Sequence, residues 1–491
     1  MKKYTPILIL VITSVIINFN LFIYPIWGFL TSILGLGVIA MLTTLSGIWA
    51  LKKLKLSENQ GIWTVAVLNF LLSIYGKLII GYKDFILKDN LSLANSGRFV
   101  DEVIQKFQYY YVFGSLLSLV LVIFVSKSGW GQKLLRNIAV LLLIVTFFNR
   151  TYSYSTTLIN LKPLEIIEPQ KSPINVLPDI YFVLMDGYSG NTALKKYWKF
   201  DNTLFKDTLT KLGFTISDSA RGRMPATIGS LSFTLNASDF QYPKFSLSNM
   251  DLVTRKYVTN NALYRVLEKN GYQIESKSIF WDDMPFFFGQ GEIDPKFTFL
   301  CPVLTRNFVY RVLIKVYNTA NSRNYTIANW FSDYDDKIEL ELNKQEKGVY
   351  AAEKAPHFVL NHLFYTHHIF RYDSAGKRLP TTQIGLWDPG YINQVKYNNN
   401  VCTKYFSNLI HTYKSAGKPL IIIAISDHGS RVSRTPDEDS QIQLMVFDSQ
   451  NKLQIKSQQS GSVNLMRELL NQYFGYKLTK QPYNYHNYYI Q

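Results

Sequence analysis

The chain has 491 residues and a formal net charge of +17, with 47% apolar and 15% aromatic residues. That length leaves room for two or three domains with buried cores, and that composition excludes a disordered chain. Two cysteines, Cys301 and Cys402, are too few for a disulfide framework, and no basic stripe interleaved with aromatics points to nucleic acid.

Five apolar stretches of about membrane-span length open the chain, at roughly 5–24, 28–50, 61–81, 109–126 and 134–149. Lys2 and Lys3 precede the first as in a signal peptide, but no small-residue cleavage site follows and a second stretch comes at once, so it reads as an uncleaved helix. Basic residues cluster at the N-terminus and in alternate loops: Lys2 and Lys3, then Lys52, Lys53 and Lys55, then Lys127, Lys133 and Arg136. The loop at 82–108 instead balances Lys83, Lys88, Arg98 and Lys106 against Asp84, Asp89, Asp101 and Glu102. By the positive-inside rule, five spans with a cytoplasmic N-terminus leave everything after Arg150 outside the cytoplasm. The third stretch is the weakest of the five, because Lys77 near its outer end must snorkel. Residues 1–151 hold 14 basic and 5 acidic residues, so about half of the net charge is topogenic. The charge left over the remaining chain suits a membrane surface or an anionic lipid better than nucleic acid.

Prolines at 163, 169, 173 and 178 then forbid a regular helix, and the segment 152–177 reads as an extended tether. From 178 to 491, strand-like runs alternate with helical patterns. The runs are DIYFVLM (179–185), GFTIS (213–217), YQIESKSIF (272–280), HFVLNHLFY (357–365), PLIIIAIS (419–426) and QIQLMVF (441–447). Helices are expected near 191–211, 225–235, 260–269, 302–318, 389–415 and 462–474. Near-continuous apolar strands separated by helices predict an α/β domain, its mainly parallel sheet covered on both faces. Chemistry in such sheets gathers beyond the carboxyl ends of the strands.

Two strand ends are informative. The first run ends in Asp186-Gly187 and the fifth in Asp427-His428-Gly429. Both can be read as turn residues. Together, Asp186, Asp427 and His428 offer the oxygen and nitrogen ligands that suit one divalent cation: manganese, zinc, magnesium or calcium.

The stretches LPDIYFVLMDGYSG (177–190), SDHGSR (426–431) and HLFYTHHIFRYDSAG (362–376) resemble motifs of the alkaline phosphatase/sulfatase-like superfamily. The likeness is to its membrane-anchored bacterial branch of lipoteichoic acid synthases and phosphoethanolamine transferases. It covers most of 178–480, including YINQVKYNNN (391–400) and VNLMRELLNQYFGY (463–476). It implies a sulfatase-like domain outside a bacterial cytoplasmic membrane, below a multi-pass anchor, holding its metal with Asp186, Asp427 and His428.

Within RMPATIGSLSFTLN (223–236), the resemblance points to Thr227 as the nucleophile, with Ser230 and Ser219 as fallbacks. Pro225 and Thr227 also suit a helix start, where free N–H groups favour an incoming phosphate, although Thr227 in that place equally suits a plain helix cap. His367 matches the histidine of the relatives' Pro-His pair, which implies a phosphate contact or a leaving-group acid. Strand alternation puts His362 and His368 on the face opposite His367, and His362 reads as packed inside. His357 crowds the same region, while His368 and His411 read as ordinary polar residues. Departures from the pattern are Thr366 and Ile369 in place of prolines, Met224 in place of an aromatic, and Arg223 in place of Asn.

The implied activity is metal-dependent transfer of a phospho-substituent, such as phosphoethanolamine or phosphoglycerol, from a membrane lipid donor to a cell-surface glycan or lipid. The alternatives are a phosphodiesterase or phosphatase on the same residues, and a catalytically inactive partner in surface-glycan assembly. A formylglycine sulfatase does not fit, since MPATIGS (224–230) lacks a Cys-x-Pro-x-Arg-type context. Cys301 and Cys402 could form one bridge or simply pack.

Overall fold

A computed structural model describes residues 57, 60–68, 70–71, 113–160, 168, 170–240, 255–278, 327–367, 370–379, 390–430, 436–455 and 461–485. The first two apolar stretches, the expected helix at 302–318, Cys301 and His368 lie outside them.

Among the described residues, the apolar helices α1 (Phe113–Val125) and α2 (Gly129–Asn160) precede the sheet domain. Within α2, Gly129–Asn149 is the one segment among the described residues long and apolar enough to cross a bilayer. Trp63 and Ala66, on a helical stretch at 60–68, pack against Val122 and Ala139. Gln60 Nε2 donates to the carbonyl of Ile123. Around this small contact Leu117, Phe124, Leu141, Phe147 and Phe148 are exposed, an apolar surface that needs a non-aqueous neighbour. Helix α2 runs on to Asn160, past the point where the prolines predict the tether to begin.

The end of the tether is not a free linker. Ser172 Oγ donates to the carbonyl of Tyr473, Gln170 Nε2 to that of Phe474, and the backbone N–H of Ser172 to Asn270 Oδ1. These bonds bind it to the domain just ahead of the first strand.

The domain is built on a six-stranded sheet of order β2-β6-β5-β1-β4-β3. Its strands are β1 (Asp179–Met185), β2 (Thr215–Ser217), β3 (Gln273–Lys277), β4 (His357–Leu363), β5 (Leu420–Ile425) and β6 (Leu444–Asp448). β1 pairs in parallel with both β4 and β5, and β3 with β4. β6 runs antiparallel to β5, and β2 antiparallel to β6, so the sheet is mixed. Among the described residues, the connection from β5 to β6 carries the short helix Pro436–Ser440 and returns the chain antiparallel to β5.

Every residue of β1, β4 and β5 is buried, as their continuous apolar runs demand. Alternation sends Ile180, Phe182 and Leu184 to one face, against Thr227–Leu235, Ala262–Lys269 and Ser462–Phe474. Tyr181, Val183 and Met185 face the other side, against Thr203–Lys211, Ile327–Glu346 and Gly390–Ala416. Cys402 is a free thiol in this second core, and burial pushes its pKa up to about 12. It is a packing residue.

Two helices differ from expectation. The pattern at 191–211 divides into Asn191–Trp198 and Thr203–Lys211, because Lys199 turns left-handed (φ 52°) and Asp201 Oδ1 caps the N–H of Thr203. Helix Ile327–Glu346 was missed. Its apolar stripe of Phe331, Tyr334, Ile338 and Leu342 has helical spacing but is set among charged residues.

Candidate active site

Because β1 lies between β4 and β5, the carboxyl ends of all three strands meet, and polar side chains gather there. Asp186 comes directly after β1, where its N–H donates to the carbonyl of Leu363. Gly187 then takes a positive φ of 70° that lets the chain turn off the sheet. Asp427 and His428 stand two and three residues beyond the end of β5.

Each carboxylate has one oxygen tied down and one left over. Asp427 Oδ1 accepts from the backbone N–H groups of Gly187 (3.1 Å) and His428 (2.9 Å). Asp186 Oδ2 accepts from Thr227 Oγ1 at 3.2 Å and faces His362 Nε2 at 3.1 Å. Asp186 Oδ1 and Asp427 Oδ2 are buried and accept no hydrogen bond. His428 Nε2 lies 3.0 Å from Asp427 Oδ2 and 3.7 Å from Asp186 Oδ1. Its other nitrogen, Nδ1, sits 2.7 Å from the carbonyl of Gly429, a contact that fixes the proton on Nδ1 and leaves Nε2 as a potential ligand.

The ligand atoms of Asp186, Asp427 and His428 all lie within 4.8 Å of one another. An unpaired buried polar atom costs about 1–3 kcal/mol, and more when charged, so two adjoining carboxylate oxygens in that state fit a cation. Burial alone would raise the pKa of Asp186, but His367, His362 and His428 around it hold it well below the usual carboxylate range. Burial and the charge of Asp186 likewise push Asp427 up, yet His428 and Thr227 keep it lowered. Both groups are therefore anionic near neutral pH, the state a divalent cation needs.

Thr227 is the first residue of helix Thr227–Leu235, and Ala226 occupies the N-cap with no side-chain hydrogen bond. Thr227 is thus not the helix cap, and its hydroxyl is directed at Asp186. Ser230 is buried inside the same helix, and Ser219 lies in the bend after β2.

The histidines depart from the expectation of opposite faces. β4 ends at Leu363, before the residues at which alternation was counted, and the chain turns with the N–H of His367 donating to the carbonyl of Phe364. Both rings therefore reach Asp186: His362 at 3.1 Å from Oδ2, and His367 Nε2 at 4.0 Å from Oδ1. His362 is fully buried, and its Nδ1 faces Ser278 Oγ at 3.0 Å. His367 is 30% exposed and packs beside Phe331, so it is the one of the two that solvent can reach. Thr366 donates from Oγ1 to the carbonyl of Asp186 at 2.6 Å, a bond that the proline expected there could not make. His357 stacks on Tyr350 and faces Gln273 Oε1, far along the strand from the site, and His411 is exposed on its helix.

Arg223, where relatives carry Asn, pairs with Asp239 at 2.8 Å with both side chains buried.

No family model and no curated protein matches the chain. Among solved structures, it is similar to the integral membrane lipooligosaccharide phosphoethanolamine transferase A from Neisseria meningitidis, at 12% identity over 88% of this chain and 94% of that one, with a TM-score of 0.41. It is also similar to the C-terminal periplasmic domain of EptC from Escherichia coli, at 15% identity over 63% and 88% and a TM-score of 0.36, a domain also known in complex with Zn. A third is an alkaline phosphatase superfamily protein from Vibrio parahaemolyticus, at 12% identity over 64% and 74% with a TM-score of 0.33. The Vibrio parahaemolyticus protein is named for the superfamily that the sequence resembles. Overlaps this partial leave the function to be read from the chain's own residues.

Proposed function

We propose that this chain is a metal-dependent transferase at the outer face of a bacterial cytoplasmic membrane. It moves a phospho-substituent, such as phosphoethanolamine or phosphoglycerol, from a lipid donor to a cell-surface glycan or lipid. One observation carries the reading: the hydroxyl of Thr227 lies at a helix start, 3.2 Å from Asp186, beside two buried carboxylate oxygens that converge with His428 Nε2. A cation held by Asp186, Asp427 and His428 would favour the Thr227 alkoxide and offset charge on the phosphoryl oxygens. Asp186, kept ionised by its surroundings, orients the hydroxyl and does not serve as its base.

The chain's own groups account for the remainder. The Thr227 oxygen bonds to the donor phosphorus as the bond from phosphorus to the diacylglycerol oxygen breaks, and the hydroxyl proton leaves to solvent. His367 gives its proton to the departing oxygen. An acceptor hydroxyl then attacks the same phosphorus, returning a proton to His367, and Thr227 leaves and is reprotonated from solvent. The N–H groups of the first turn, which has no side-chain cap, would be available to the phosphoryl oxygens. The exposed apolar helices α1 and α2 support an anchor that keeps the site near lipid.

The test uses full-length protein in detergent with head-group-labelled phosphatidylethanolamine or phosphatidylglycerol. Label on the Thr227 peptide together with released diacylglycerol, both lost in Thr227→Ala, is the expected result. Free head-group phosphate in the presence of an acceptor would make the chain a hydrolase. Neither label nor diacylglycerol would leave the non-catalytic partner as the better reading.

A further inference from the structure

Three loops build the site, at 186–190, 220–227 and 427–430, and a single segment touches all of them. The N–H of Gly190 donates to the carbonyl of Gln441 (3.0 Å), that of Gly429 to Asp439 (2.9 Å) and that of Gly222 to Ser440 (2.8 Å). The N–H of Ile442 donates in turn to the carbonyl of Ala220 (3.1 Å). The contacts are close enough to constrain sequence. A Cβ on Gly429 would stand 2.3 Å from the carbonyl oxygen of Glu438, and one on Gly190 would stand 2.7 Å from that of Ile442.

At the start of this segment, 438–442, Glu438 is fully buried although it sits among the acids Asp437 and Asp439. Its Oε1 accepts from Ser189 Oγ (2.7 Å), from the N–H of Ser430 (2.9 Å) and from Ser430 Oγ (2.6 Å). One carboxylate oxygen thus joins the loop that carries Asp186 to the loop that carries Asp427 and His428. Tyr391 reinforces the first loop, where its hydroxyl lies 2.9 Å from the carbonyl of Gly187 and accepts from the N–H of Ser189. A buried carboxylate is costly unless its hydrogen bonds are made, and here three donors converge on it. Removing it takes the shared acceptor from the Ser189 and Ser430 hydroxyls and leaves the two loops joined by the Ser430 N–H to Ser189 Oγ (3.0 Å) and the Gly187 N–H to Asp427 Oδ1 (3.1 Å), so their separation is set less tightly.

We propose that Glu438 is a positioning residue that sets the spacing of the two metal-ligand loops and so the affinity and geometry of the cation site. The inference rests on the metal reading of Asp186, Asp427 and His428. Groups that orient metal ligands at one remove typically change affinity 10–100-fold when altered.

The experiment is cobalt(II) titration of the full chain in detergent, read by visible absorption, for wild type, Glu438→Gln, Glu438→Ala and Asp179→Asn. Asp179 is an equally buried acid at the opposite end of β1, and it controls for the general effect of disturbing a buried carboxylate. Glu438→Gln keeps an acceptor oxygen in place, so it should bind cobalt about tenfold more weakly, and Glu438→Ala about a hundredfold, with a shifted band. Asp179→Asn should keep the wild-type spectrum and affinity. If Glu438→Ala does not fold, Glu438→Gln and Ser430→Ala decide. Equal spectra and affinities across the Glu438 variants, or an equal loss in Asp179→Asn, would overturn the positioning role and leave the metal reading intact. A wild-type chain that takes up no cobalt would overturn both.

Discussion

The Thr227 hydroxyl donates to Asp186 Oδ2 across 3.2 Å, joining the first turn of a helix to the end of the central strand. Residues 41 positions apart in the chain thus share one hydrogen bond at the point where two other strand ends converge.

If Thr227 is the nucleophile, Thr227→Ala should lower transfer by roughly a thousandfold or more, while cobalt still binds to Asp186, Asp427 and His428. Thr227→Ser should keep measurable transfer. Rates with labelled lipid, measured beside metal content, check this. Loss of metal without loss of rate would contradict it.

The partial exposure of His367 suits it to protonate a leaving group. His367→Gln should slow transfer from a lipid donor by roughly 10²–10⁴-fold at neutral pH. With a nitrophenyl phosphodiester, whose leaving group needs no proton, the first-turnover release of nitrophenol by the same variant should run near the wild-type rate, while later turnovers stay slow because the acceptor still gives its proton to His367. Equal losses on both substrates would assign His367 to phosphate binding instead.

Arg371 and Asp335 form a fully buried pair, closed by the Tyr372 hydroxyl (2.9 Å) and by the Arg371 guanidinium donating to the carbonyl of Phe364. Arg371→Met strands the Asp335 charge and should cost about 3–5 kcal/mol. The double variant Asp335→Leu/Arg371→Met should recover much of that in chemical denaturation. Since Phe364 and Phe331 both border His367, the single variant should also disturb transfer.

Asp437, next to Glu438, is held below the usual carboxylate range by Tyr197, then by Lys196 and Arg221. A depressed native pKa means the unfolded chain binds protons first as pH falls. The contribution of Asp437 is therefore whole above about pH 5 and fades below that, through the unfolded value near 3.9 towards the native one. Melting temperatures of wild type and Asp437→Asn should differ at pH 7, and the gap should begin to narrow as pH falls below about 4. A gap that widens on acidification would reverse the sign.

Much of the site was legible because its signals are local. Asp186-Gly187 and Asp427-His428-Gly429 each come after an apolar run, and a run of that kind stops where polar turn residues begin. Thr227 took the structural position at a helix start that Pro225 suggested. Glu438 was invisible, because three neighbouring acids in a turn carry no mark of which one is buried. His362 is buried as expected, but the face of His367 was miscounted, because strand alternation holds only while the strand lasts and β4 stops at Leu363.

Sequence alone determined the apolar segments before the domain, the strand and helix periods, and the residues delivered to the strand ends, since each depends on contacts within a few positions. Only the tertiary structure decided the order that sets β1 between β4 and β5, and with it the meeting of residues far apart in the chain. Asp186 and His362 are separated by 176 positions, and Ser189 and Glu438 by 249. Such pairings come from how whole sheet faces bury against helices, a sum over the core that no local pattern contains.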